Sequence, residues 1–195
     1  TSHTQNAFAR ECFMDYIART LKKDPVEYRL SLLSSTPRLK RVLEYAADIA
    51  GWKNNQQVNI ARGVALHESK ETCVVQIVEI AVNDKLRPRI ERVVCAVDCG
   101  MAVSPDGVKA QMEGAIAFGL SAILDQGITV KNGEIVQSNF HDFNILRMSQ
   151  MPKIEVHILK GSYPPGGIGE PGVPPIAPAL YNALSGNFNT KIFQR

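Results

Sequence analysis

No apolar run in this 195-residue sequence reaches the roughly 18 residues needed to span a bilayer. No segment shows the basic, apolar and small-residue order of a signal peptide. A segment ahead of Thr1 would carry any targeting signal, so cytoplasm and periplasm both stay open. Cysteine is sparse: of Cys12, Cys73, Cys95 and Cys99 only the last two lie close together, and their C-x3-C spacing matches neither zinc knuckles nor iron–sulfur loops. They read as buried thiols of a reduced protein. Strong charge is missing too, since the net charge is +3, too mild for a nucleic-acid partner. Lys22, Lys23, Arg38, Lys40 and Arg41 cluster without interleaved aromatics, the pattern of a solvated helical face. A Gly-x-Ser-x-Gly elbow, a P-loop, His-Glu-x-x-His and Cys-x-x-Cys-His are all absent, which removes support for serine hydrolase, nucleotide hydrolase, zincin and c-type haem chemistry.

What is present is ordinary globular usage, 45% hydrophobic and 21% charged, in a chain long enough to bury a core of its own. Phe8, Cys12, Phe13, Ile17 and Leu21 recur at helical steps, predicting an amphipathic helix over Ala7–Leu21 with Asn6 as its cap. Asp24-Pro25 opens a second helix through Leu33, and Thr36-Pro37 a third that stops at Gly51. Beyond Asn59 the pattern turns to β in three Val/Ile/Ala-rich stretches, Ile60–Lys70, Thr72–Val82 and Arg87–Val97, with Asn83-Asp84 as the hairpin turn between the last two. Ser104-Pro105 starts a helix whose run Val108–Leu124 is apolar almost all round, the mark of a helix that is buried or lies against a ligand. Lys131-Asn132-Gly133-Glu134 reads as a tight hairpin, Lys153–Leu159 as one more strand, and Ala177–Leu184 as a short helix. The fold class is α+β: short helices, then a mixed or antiparallel sheet with a buried helix.

Eleven of the chain's glycines and prolines crowd into Gly161–Pro178. Glycine lets backbone approach a ligand closely and proline freezes the chain on both sides, so the segment reads as a rigid loop. Glu170 is its one charged side chain. A carboxylate there either reaches solvent in a surface turn or sits in a pocket as a general base, and composition leaves both readings open.

Gly167-Ile168-Gly169-Glu170-Pro171 resembles the Gly-x-Gly-Glu-Pro motif of the xanthine oxidase family of molybdenum hydroxylases, and the string on to Ala179 is similar to its bacterial branch typified by isoquinoline 1-oxidoreductase β subunits. The resemblance extends, in order, to Ser2-His3, Asn6-Ala7-Phe8, Lys23–Arg29, Gly63–Ser69, Val97–Gly100, Ser104-Pro105 and Gln111–Gly114. It implies the C-terminal quarter or third of the molybdopterin-binding subunit, with a helical segment over 1–52 and a sheet and cofactor-facing segment over 59–195. The family's upstream Gly-Gly-Gly-Phe-Gly stretch is not found in this sequence.

The same resemblance implies Glu170 as the base that takes a proton from a water-derived oxygen as it attacks an electron-poor carbon of a nitrogen heteroaromatic or an aldehyde. It implies Gln111, Gly114 and Gly169 as contacts of a molybdopterin, in its cytosine dinucleotide form, that carries the molybdenum. Spacing alone reads Gln111 as an exposed amide beside a helix-packing glycine. The implied partners are the upstream part of the same subunit, an iron–sulfur subunit that takes the electrons, and a small-molecule substrate. On this reading the 195-residue chain alone is inactive, and its rival is a non-catalytic assembly module. Glu68 stands as the alternative base; His67 reads as structural, because adjacent strand residues face opposite ways. His141-Asp142 lines a substrate channel or caps a loop, and Asp98 and Gly100 shape the turn before Ser104.

Overall fold

β1 (Ile60–Ser69), β2 (Thr72–Ala81) and β3 (Arg89–Asp98) pair antiparallel, and β6 (Lys153–Ile158) adds parallel to β3, giving the order β1-β2-β3-β6. The computed structural model describes residues 3–53, 59–81 and 89–187; the Asn83-Asp84 turn lies outside them. A parallel neighbour requires a crossover, and α4 (Pro105–Leu124) lies within it, followed by the small hairpin of β4 (Val130–Lys131) and β5 (Glu134–Ile135). As the sequence predicts, that hairpin turns on Asn132 and Gly133, both at positive φ.

The strands read as nearly unbroken apolar runs because both sheet faces are covered. One face packs α2 (Pro25–Leu32) and α3 (Pro37–Ile49), through Val26, Leu39, Val42 and Leu43, against Val64, Leu66, Val75, Ile77, Val94 and Ala96. The other packs α4 and α5 (Ile176–Asn187), through Met112, Ile116, Leu120, Ile176 and Leu180, against Ala65, Val74, Val78, Val93, Cys95 and Val97. The register shifts at Glu79/Ile80, which turns Ile90 to the same layer as Val93 despite their spacing. Gly63 is where α5 meets the sheet: a Cβ there would lie 2.1 Å from the Ala179 carbonyl.

α1 (His3–Thr20) lies along the β1 edge and departs from expectation. It begins at His3, so Asn6 is inside the helix and caps nothing. Its buried residues are Ala7, Glu11, Asp15 and Ala18, while Phe13 and Leu21 of the anticipated face are exposed. Hydrogen bonding explains the inversion. Glu11 Oε2 accepts from Arg29 Nε at 3.0 Å and from the Leu66 amide at 3.2 Å; Asn182 of α5 donates to the Glu11 and Val64 carbonyls at 3.3 and 3.0 Å. These buried contacts join α1 to α2, β1 and α5.

α2 is capped as expected, Asp24 accepting from the amides of Val26 and Glu27 at 2.9 and 3.0 Å behind Pro25. The basic cluster is not simply solvated. Arg38 and Arg41 reach back to Asp98, fully buried at the end of β3, at 2.8 and 2.6 Å, and Arg38 lies 4.5 Å from the Tyr163 ring centroid.

Candidate functional site

The Gly/Pro loop runs across the end of the sheet and is tied down at four places. The Tyr163 carbonyl accepts from the Met101 amide at 2.9 Å, and the Gly166 amide donates to Cys99 O at 2.8 Å. The Gly167 amide donates to Lys70 O at 2.8 Å, on the β1–β2 turn. The fourth tie comes from beneath: Gln76, wholly buried in β2, donates from Nε2 to the Gly172 carbonyl at 2.8 Å. Gly172 must lack a side chain, because a Cβ would sit 2.8 Å from that of Ala115 and 3.1 Å from Met112 Sδ, both on α4.

Asp98 holds the near end of this assembly. Its burial favours the neutral acid, but hydrogen bonds from Arg38, the Gly100 amide and Arg41 win and keep it below the usual carboxylate range. Gly100 stands at φ +71°, and a Cβ there would strike the Pro164 carbonyl at 2.2 Å. The expected turn-shaping role of Asp98 and Gly100 therefore extends to seating the loop.

Between the Lys70 and Gln76 ties lies Glu170. It is half-buried, and its carbonyl accepts from the Val173 amide at 2.9 Å in a turn through Pro171 and Gly172. Gly169 lies against α4: a Cβ on it would be 3.8 Å from Gln111 Nε2. Gln111 is exposed, and among the described residues its amide has no hydrogen-bond partner. One turn on, Gly114 is exposed too, with nothing within 4 Å of where its Cβ would stand. Gln111 and Gly169 are thus brought together beside Glu170, with Gly114 as bare backbone next to them. A free amide and an open glycine beside a half-buried carboxylate suit an extended polar group laid along α4.

His67 reads as structural from the sequence, and it stands with both ring nitrogens partnered. It opposes Val74 in the β1–β2 register, and Val74 belongs to the α4–α5 layer, so His67 faces the loop side. It is buried. Its Nδ1 lies 3.4 Å from Arg10 Nη2 and its Nε2 3.2 Å from His3 Nδ1. Burial, then Arg10 and His3, push its pKa down to about 4 against an upward pull from Glu170, so the ring is neutral at ordinary pH. Polar breaks in the apolar runs of β1 and β2, at His67 and Gln76, were the available signals for both residues.

Glu68 lies on the other sheet face, where it lines a cavity with Leu32, Leu33 and Leu39. Asp142 caps its loop, accepting from the amides of Ser138 and Asn139 at 2.9 and 3.0 Å. His141 is exposed, 3.5 Å from Asp142. The four cysteines are free thiols, and among the described residues no cluster of His, Cys, Asp or Glu is arranged to hold a metal ion.

The sequence profile of the molybdopterin cofactor-binding domain matches residues 34–152. The chain is 39% identical over 185 residues to the isoquinoline 1-oxidoreductase subunit beta of Brevundimonas diminuta, covering 93% of this chain and 24% of that one. It is 31% identical over 196 residues to the membrane-bound aldehyde dehydrogenase (pyrroloquinoline-quinone) of Gluconacetobacter polyoxogenes, covering 89% and 25%. The aldehyde oxidoreductase of Desulfovibrio gigas shares the fold, with a TM-score of 0.72 over 94% of this chain and 38% of that one at 11% identity. The chain thus spans about a quarter of the length of the curated relatives it matches.

Proposed function

The chain belongs to the molybdopterin cofactor-binding domain family, and from that premise we propose that it forms the active-site base and part of the cofactor surface of a molybdenum hydroxylase. The substrate class is a nitrogen heteroaromatic or an aldehyde, as the names of its curated relatives suggest. The observation that carries the proposal is the placement of Glu170: the one charged side chain of a loop pinned through Gly167 and Gly172, beside the unpartnered amide of Gln111.

When bound, the molybdenum cofactor would supply the two-electron oxidation of the substrate carbon. Gln111 would hold it by an amide hydrogen bond, with the backbone of Gly114 and Gly169 allowing its close approach. Glu170 accepts the proton that a water-derived oxygen loses as it bonds to carbon. The ties at Lys70 and Gln76 fix the backbone on either side of Glu170, so the loop that carries the base is in place before substrate arrives. The cofactor is taken to be the cytosine dinucleotide form. An iron–sulfur subunit is the proposed electron acceptor, since four scattered cysteines cannot ligate a cluster, and the upstream part of the same subunit completes the site.

Turnover of the complete subunit with its partner in ¹⁸O-enriched water tests this reading. Label in the hydroxylated product is expected. Product labelled only from ¹⁸O₂, or not at all, would sink the hydroxylase assignment.

A further inference from the structure

His67 lies beneath Glu170. The loop runs along the β1–β2 hairpin from Gly167, bonded to Lys70 at the turn, to Gly172, bonded to Gln76. Gln76 pairs with Ala65 and Thr72 with Ser69. The His67–Val74 pair falls between those two levels, and Glu170 falls between the two loop ties. From the other side the ring is held by α1. Arg10 Nη2 also donates to the Leu66 carbonyl at 3.0 Å, and its Nε meets Glu11 at 3.1 Å, so the guanidinium is fixed while it faces His67 Nδ1. A guanidinium can only donate, so Nδ1 is the acceptor and Nε2 carries the hydrogen toward His3. Arg10, His3 and Glu170 are the charged or titratable groups acting on the ring; across β2 it meets Val74.

Resting on the reading of Glu170 as base, we propose that Arg10 and His3 lock His67 as a neutral imidazole beneath Glu170, a positioning residue that keeps the carboxylate free of a buried cation. A protonated His67 would place a positive charge near Glu170 and weaken it as a proton acceptor. The clamp has the sense needed to prevent this, because an imidazole whose Nδ1 already accepts from a cation resists a second proton. His67 touches no reacting atom on this account. Its effect is the pH at which the base operates.

The test is the pH dependence of kcat/KM between pH 4 and 8 for the complete enzyme with its cofactor and partner, with molybdenum content measured for every variant. R10Q removes the charge that faces Nδ1 while burial remains, and the acid limb is expected to move up. H67Q, which cannot become a cation, should keep the wild-type acid limb. R10Q/H67Q should return to it. An R10Q profile with an unmoved acid limb overturns the proposal. So does a double variant that retains the R10Q shift, since Arg10 would then be acting on Glu170 directly.

The side chain of Arg10 is 51% exposed, and Glu11 keeps its partner Arg29 without it, so R10Q should fold. If it yields no holoenzyme, H3Q removes the other ring contact and must shift the limb in the same direction by less; no shift overturns the proposal equally. Failure of the base assignment is distinguishable, because E170Q would then retain activity whatever these profiles show.

Discussion

The side-chain amide of Gln76, at the middle of the sheet, donates to the carbonyl of Gly172, two residues beyond Glu170, at 2.8 Å. A central strand thereby reaches up to hold the loop that carries the carboxylate. Cys95 lies beside the same amide at 3.9 Å, its thiol pushed up to about 12 by burial, so nothing ionised competes for the donor.

Gln76→Leu should cost about 1–3 kcal/mol, because it leaves the carbonyl of buried Gly172 without its donor. It should also slow turnover without removing the base, as the loop that carries Glu170 loses one of its ties. Thermal melting and kcat of the complete enzyme check both. A variant with unchanged kcat would show that the loop does not need this tie.

Asp98→Asn should destabilise by about 2 kcal/mol at neutral pH, since the amide loses its charge-assisted bonds to Arg38 and Arg41. The folded-state pKa of Asp98 is held below its ordinary 3.8. Its contribution is therefore present above that value and lost as pH falls through the folded pKa. Urea denaturation of both forms should show the difference shrinking only in acid.

His67 behaves oppositely to a salt-bridged histidine. Its folded pKa is near 4 against an ordinary 6.5, so the unfolded chain binds the proton more readily between these values. Stability is complete above pH 6.5 and declines on acidification towards 4, by about 3 kcal/mol over that shift. His67→Gln should flatten this part of the stability–pH curve. An equally steep curve in the variant would assign the loss to other groups.

How far the sequence spoke depends on the kind of signal. Strand runs covered on both faces, Pro-led helices at Asp24 and Ser104, and the Asn132-Gly133 turn are local patterns, and each recurs in the fold. α1 misled, because periodicity treats Glu11 and Asp15 as outward-facing, whereas their partners, Arg29 and Asn182, come from distant helices. Glu170 and Gln111 were singled out through motif resemblance, not through spacing. Gln76, His67 and Arg10 escaped for the same reason as Glu11: their meaning lies in contacts across the sheet and between helix and strand.

The central claim is that Glu170 is the base, and Glu170→Gln in the complete enzyme tests it most directly. Gln keeps the size of the side chain, so the ties through Gly167 and Gly172 should hold, and folding and molybdenum content should stay near wild type. The amide cannot accept the proton. Reduction of the metal by substrate, followed in a single turnover without electron acceptor, should slow by about two to four orders of magnitude. A rate within about tenfold of wild type, smaller than removal of a general base causes, would contradict the account.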